Sequence, residues 1–396
     1  MLKKILLLLI IFATVLVAED QPYVLLVSLD GFRWDYTDKT DLPNFKYLID
    51  HGVKASSLQP VFPSKTFPNH YSIITGMYPE NHNLVFNNFY YNGDEYRTTG
   101  AAKLQSKWYG GEPFWVTADK NHIRTASVFW VGSTVNDPTR RPDYFNYYNH
   151  TLPHRERVTK IINYLQLPVK IRPHFITLYF PDTDDIGHAF GPDSPQLINT
   201  LKTLDTMLGD LFYRLKHIHM FKKLNIILVS DHGMTIVDTA KSIPLKKILS
   251  GFDYTLNGHG PVASIVPGNK ADIPAIYRRL KESAHGFNVY YKKELPEAYH
   301  FSRNKRIGEI IVVGKPGYWL KLSSAGTSRG AHGYDNHFLD MHGIFMAMGP
   351  AFKPGYKTGM LLNIDIYPLL CEVFGIPPSL KIDGRLERIE YILKER

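Results

Sequence analysis

Cysteine is nearly missing from this chain. Cys371 is the only one in 396 residues, so no internal disulfide can form, and stability has to come from the core, hydrogen bonds and bound ions. There is no internal repeat, no low-complexity tract and no helix with a dense Lys/Arg run. The last absence leaves no dedicated nucleic-acid module, and no obligate membrane partner is evident. What is present is an ordinary globular composition, 44% hydrophobic and 21% charged, with enough chain to bury a large core. The formal charge of +9 favours anionic substrates by steering.

The chain opens with Lys3 and Lys4, an apolar stretch from Leu6 to Val17, and Ala18 as a cleavage residue. The stretch is short for a membrane span and fits a signal peptide over 1–18. No cysteine follows it to accept a lipid. A signal with a single cysteine suits a bacterial periplasmic or secreted protein better than a eukaryotic ectodomain. The one glycosylation sequon is Asn149-His150-Thr151.

After the leader, strand-like and helix-like runs alternate, which predicts an α/β fold with a mainly parallel central sheet flanked by helices. Tyr23 to Leu29 is near-continuously apolar, as a strand covered on both faces should be. Further strands are predicted at Thr125 to Trp130, His174 to Phe180, Asn225 to Ser230 and Gly343 to Met348. Helices are predicted from Pro43 to Asp50, with Gly52 as the residue that ends it, from Ser194 to His217 and from Ile364 to Phe374. The stretch of about 255–329 mixes short strands with Pro and Gly turns. It reads as a small α+β insertion within a single catalytic domain spanning 19–396.

The polar motifs fall just past the predicted strand ends, the edge where open α/β sheets bind ligands. Asp30 closes the first strand and could bind metal, cap a helix or hold a turn. Thr66 precedes a helical pattern that ends at Gly76, which places its hydroxyl in the positive field of a helix N-terminus or makes it a simple cap. Asp184 and His188 are four apart and converge if their turn is helical; Asp185 is the rival ligand, and spacing does not separate the two. Adjacent Asp231 and His232 follow an apolar strand directly. His332 lies between two glycines, which frees the backbone to aim its ring. His51, His217, His219 and His259 lack a comparable partner pattern and read as ordinary surface or turn residues. Together, Asp and His of this kind make sites for zinc-like ions, and two such ions with a hydroxyl among them make a site for phosphoryl displacement.

Five motifs in order carry a resemblance: SLDGFR, KTFPNHYSIITGMYPENHNL from Lys65 to Leu84, the D-x-x-G-H from Asp184 to His188, SDHGM and HGYDN. From about Val27 to Pro350 the chain resembles the nucleotide pyrophosphatase/phosphodiesterase family of the alkaline phosphatase superfamily. The resemblance implies an alkaline phosphatase-like fold and two Zn2+ per chain. One zinc would be held by Asp30, Asp231 and His232 with Thr66, and the other by Asp184, His188 and His332. It implies Thr66 as the nucleophile of a phospho-threonine pathway and Asn87 as donor to a phosphoryl oxygen. Phe67 and Tyr148 match positions that sandwich a base. The substrate class it implies is a small nucleotide or other phosphodiester. Related enzymes of the fold cleave phosphomonoesters or choline-type lipid headgroups, so the same two-zinc site leaves those activities as the alternative. Val131 stands where the family commonly has proline, which bears on the leaving-group pocket and not on the chemistry.

Overall fold

The computed structural model describes residues 21–321 and 328–395. The leader-like stretch at 1–18 lies outside them. Eight strands form the central sheet: β1 (Tyr23–Leu29), β2 (Val53–Ala55), β3 (Thr125–Val128), β4 (Tyr144–Asn146), β5 (Phe175–Phe180), β6 (Leu224–Val229), β7 (Phe345–Met348) and β8 (Tyr356–Thr358). Their order across the sheet is β8-β2-β7-β6-β1-β5-β3-β4. Every pairing is parallel except those of β7, which runs against both β6 and β2. The sheet is therefore mainly parallel, with one reversed strand delivered by the last third of the chain.

Alternation explains why the apolar strands sit at the centre. Leu25, Val27 and Leu29 enter one core with Leu197, Leu201, Leu204 and Leu208. Val24 and Leu26 enter the opposite core with Ile73, Ile366 and Leu370. A strand with two buried faces is mostly apolar, and β1 and β6 carry no charged residue until they stop. The helix Pro195–His217 is capped by Ser194, whose hydroxyl accepts from the Leu197 amide. The helix Pro43–Asp50 ends as expected, but Gly52 has a different job. It is not left-handed; a Cβ there would run into the Ala347 carbonyl, so glycine lets β2 approach β7.

Four antiparallel strands lie apart from the central sheet, Tyr254–Asn257, Val262–Pro267, Phe287–Tyr291 and Ile310–Gly314. Ile276 and Leu280 of the helix Ile273–Glu282 pack on this small sheet in a core of their own. The chain then returns through Gly330–Ala331, which pairs with Thr235–Ile236. That pairing brings His332 beside Asp231 and His232.

Candidate active site

Three neighbouring parallel strands set the frame. The register aligns Leu29 with Phe180 and Ser28 with Val229, so Asp30, the helix Asp182–Phe190 and Asp231 emerge at one edge. Gly31 permits this closeness, since it is left-handed at φ 67° and a Cβ there would meet the Asp184 backbone at 3.0 Å. Thr66 is the first residue of the helix Thr66–Thr75, after Lys65 in extended conformation. The helix therefore aims its N-terminal amides into the same space.

The side chains converge. His232 Nε2 lies 3.1 Å from Asp231 Oδ2 and 3.4 Å from Asp30 Oδ1. The Thr66 hydroxyl is 3.2 Å from the same nitrogen. Asp184 Oδ1 is 3.3 Å from His188 Nε2 and 3.5 Å from His332 Nε2. The nearest ligand atoms of Asp184, His188 and His332 lie within 4.8 Å of one another, as do those of Asp30, Asp184 and His232. The two groups thus share a border at Asp184. The helical turn that makes Asp184 and His188 converge also points Asp185 elsewhere, to His150.

Whether cations fit can be judged from the donors. Among the described residues, Asp30 Oδ1, Asp184 Oδ1 and Asp231 Oδ2 are buried and accept no hydrogen bond. A desolvated carboxylate oxygen with no partner is costly, and a divalent ion among three of them removes the cost. The imidazoles are prepared in the same sense. His232, His188 and His332 engage Nδ1 with the carbonyls of Gly233, Gly330 and Ser64, each at 2.8 Å. Nδ1–H donated to a carbonyl leaves the Nε2 lone pair facing inward as a ligand.

The electrostatics tell the same story. Burial, with the charges of Asp231 and Asp184, pushes Asp30 well above the usual carboxylate range. Burial opposes the charge of Asp231 too, but His232 and His70 hold that carboxyl low. Burial and the neighbouring His232, Lys65 and His188 push His332 well down. Burial also brings the Lys65 ammonium down to about 8. Gly333, at φ 113°, has no Cβ because Lys65 fills that space.

Asn87 accepts from the Phe67 amide through Oδ1 at 3.0 Å, which leaves its amide nitrogen to donate. Phe67 and Tyr148 line one cavity of about 290 Å³, together with Thr66, Lys103, Trp130 and Tyr179. Val131 lines it as well, in a turn closed by the Ser133 amide on the Trp130 carbonyl.

Two residues of the site have no marker in the sequence reading. His70 is fully buried, with Nε2 2.8 Å from Ser28 Oγ and Nδ1 2.9 Å from the Thr66 carbonyl and 3.3 Å from Asp231. With both nitrogens committed it supports the nest and is not free to ligate. Its place four residues after Thr66, on the same helix face, was the available signal. Tyr179 donates to Asp30 Oδ2 at 2.6 Å; nothing in the strand pattern marks it. His259 lies in the turn between Asn257 and Val262 of the small sheet and is exposed, as an ordinary turn residue is.

This fold and site define a class: an alkaline phosphatase-like α/β protein with a paired Asp/His cation nest facing a threonine at a helix N-terminus. Comparison with known proteins narrows the class. The profile of the family described as type I phosphodiesterase / nucleotide pyrophosphatase matches residues 24–335, and the chain belongs to that family. It is 36% identical over 382 residues to rat ectonucleotide pyrophosphatase/phosphodiesterase family member 1, covering 91% of this chain and 41% of the relative. It is 36% identical over 363 residues to human bis(5'-adenosyl)-triphosphatase, covering 90% of this chain and 79% of that protein. The solved structure of mouse ectonucleotide pyrophosphatase/phosphodiesterase 5 superposes with a TM-score of 0.90 at 34% identity, over 94% of this chain and all of that one. The chain spans about two fifths of the length of the first relatives it matches.

Proposed function

We propose that this protein is a zinc-dependent hydrolase of nucleotide phosphodiester or phosphoanhydride bonds, acting through a phosphorylated Thr66, within one catalytic domain spanning 19–396. The observation that carries the reading is the pair of Asp/His groups, with three carboxylate oxygens unpartnered among the described residues, bordered by the Thr66 hydroxyl 3.2 Å from His232 Nε2. Zinc fits this donor set better than magnesium, which favours oxygen and water. Two zinc ions held by Asp30, Asp231, His232 and Thr66, and by Asp184, His188 and His332, would supply charge neutralisation and Lewis acidity.

The chain's own groups then divide the work. Thr66 Oγ1 gives its proton to solvent and bonds to phosphorus as the bond from phosphorus to the leaving oxygen breaks, and that oxygen departs with the bonding pair and takes up a proton from solvent. The N-terminal amides of the Thr66–Thr75 helix and the Asn87 amide face the phosphoryl oxygens, where they stabilise charge that grows in the transition state. Phe67 and Tyr148 orient the nucleoside by stacking. Water then releases the phosphoryl group from Thr66 Oγ1, which regains its proton. Among relatives, an inactive threonine-to-alanine variant of the mouse protein was solved in complex with AMP, which supports both the nucleophile and a nucleotide ligand. The leader-like 1–18 supports export to the periplasm or medium.

Hydrolysis of para-nitrophenyl thymidine 5'-monophosphate beside para-nitrophenyl phosphate, on zinc-loaded protein, tests the reading. A large preference for the nucleotide diester is expected. Preference for the monoester would keep Thr66 chemistry but discard the nucleoside assignment of the cavity.

A further inference from the structure

Asp184 and Asp185 are neighbours in sequence with opposite destinations. Asp184 turns into the cation nest. Asp185 turns out of it, and its Oδ2 lies 3.2 Å from His150 Nε2. His150 Nδ1 in turn lies 2.9 Å from the Tyr148 hydroxyl. The three side chains form a continuous link from the helix Asp182–Phe190 to the wall of the cavity beside Thr66. The carboxylate selects the imidazole tautomer. With Nε2–H donated to Asp185, Nδ1 is left to accept, and the Tyr148 hydroxyl donates to it.

Tyr148 needs such a hold. It is 40% exposed and follows a strand of only three residues. Its ring meets Phe129 and Tyr179 at steep angles, with centroids 5.4 and 5.8 Å away. Those contacts bound the ring from the side, whereas the hydrogen bond at its tip fixes the direction it faces. A stacking platform that is already oriented saves the ordering cost on binding.

We propose that His150, braced by Asp185, is a positioning residue that holds Tyr148 in place for nucleoside-bearing substrates. The inference rests on the nucleotide reading given above. It adds a specificity element outside the cation nest and ties the cavity wall to the helix that carries Asp184 and His188. The paired side chains are 56% and 48% exposed, so the brace tunes affinity and does not create it.

The test is a set of kinetic measurements on the full-length, zinc-loaded protein. KM and kcat are measured for para-nitrophenyl thymidine 5'-monophosphate and for methyl para-nitrophenyl phosphate, which carries no nucleoside. His150→Ala and Asp185→Asn are each expected to raise KM for the nucleotide about three- to fivefold, the scale of an exposed pair. Their kcat, and both constants for the methyl ester, should stay within about twofold of wild type. Tyr148→Phe removes the same hydrogen bond, so adding His150→Ala to it should raise KM no further. Additive effects in that double variant, or equal KM changes on both substrates, would overturn the brace. Binding of thymidine 5'-monophosphate by calorimetry separates the two readings. If wild type binds it but cleaves some other ester, the proposed activity fails and the brace is judged by the same ratios in Kd. If wild type neither binds nor cleaves the nucleotide, both readings fall.

Discussion

The cation nest and the cavity beside it are built on opposite plans. In the nest, Asp231, His232 and His332 are buried, and the imidazoles are pinned through Nδ1 to backbone carbonyls. Asp30 and Asp231-His232 follow the ends of adjacent central strands, Asp184 and His188 ride the helix after a third, and His332 is fixed by the Gly330–Ala331 pairing. In the cavity, Tyr148 is exposed on a loop and is held by ring edges, the Lys103 ammonium 5.8 Å from its ring centre and the hydroxyl link to His150. Geometry that has to be right for chemistry is carried by the sheet. Geometry that chooses among substrates is carried by loops, where a side chain such as Val131 changes at little cost to the fold.

The comparison is broken most severely at Thr66. Thr66→Ala should cut turnover by about four decades or more, as loss of a nucleophile does, while zinc content by mass spectrometry stays near wild type. Retained activity would remove the nucleophile from the scheme. Removing the ions should do as much: prolonged chelation is expected to abolish turnover, and added zinc to restore it, because the six Asp and His donors have no substitute. Activity that survives chelation would refute the nest as a metal site. The cavity should respond more gently. Phe67→Ala is expected to raise KM for the nucleotide diester by about tenfold, from the roughly 1–3 kcal/mol a stacked base contributes. The methyl ester, with no base to stack, should be nearly unaffected. Equal losses on both substrates would show that the two regions are not separable.

The two regions were also unequally legible in the sequence. The apolar run of β1 followed by Asp30, and that of β6 followed by Ser230-Asp231-His232, announce a sheet edge with ligands because a doubly covered strand takes charged residues only past its end. The reversal of β7 was hidden, since an apolar strand reads the same in either direction and only pairing partners fix it. Asp184 and Asp185 were inseparable by spacing. The helix Asp182–Phe190 separates them, because residues 100° apart face different ways. His70 and Tyr179 escaped because their contacts join segments far apart in sequence, 149 residues in the case of Tyr179 and Asp30.

A smaller effect sharpens the comparison from beneath the nest. His82 is fully buried against the Thr66–Thr75 helix. Its Nε2 lies 2.9 Å from Ser72 Oγ, and its Nδ1 accepts from the Leu84 amide at 3.2 Å. Adding a proton to Nδ1 would set N–H against N–H, and burial already brings this imidazole from 6.5 down to about 3. The unfolded chain binds that proton below about 6.5 and the folded one does not, so the contribution is complete above pH 6.5 and is lost as pH falls toward 3. The slope is about 1.4 kcal/mol per pH unit at most. Denaturant unfolding of chelated protein between pH 7 and pH 5, compared with His82→Gln, reads this term without contributions from bound metal. The wild type should lose stability faster on acidification than the variant. Equal slopes would mean that His82 protonates without cost, and that the helix presenting Thr66 is less firmly seated than the nest it serves.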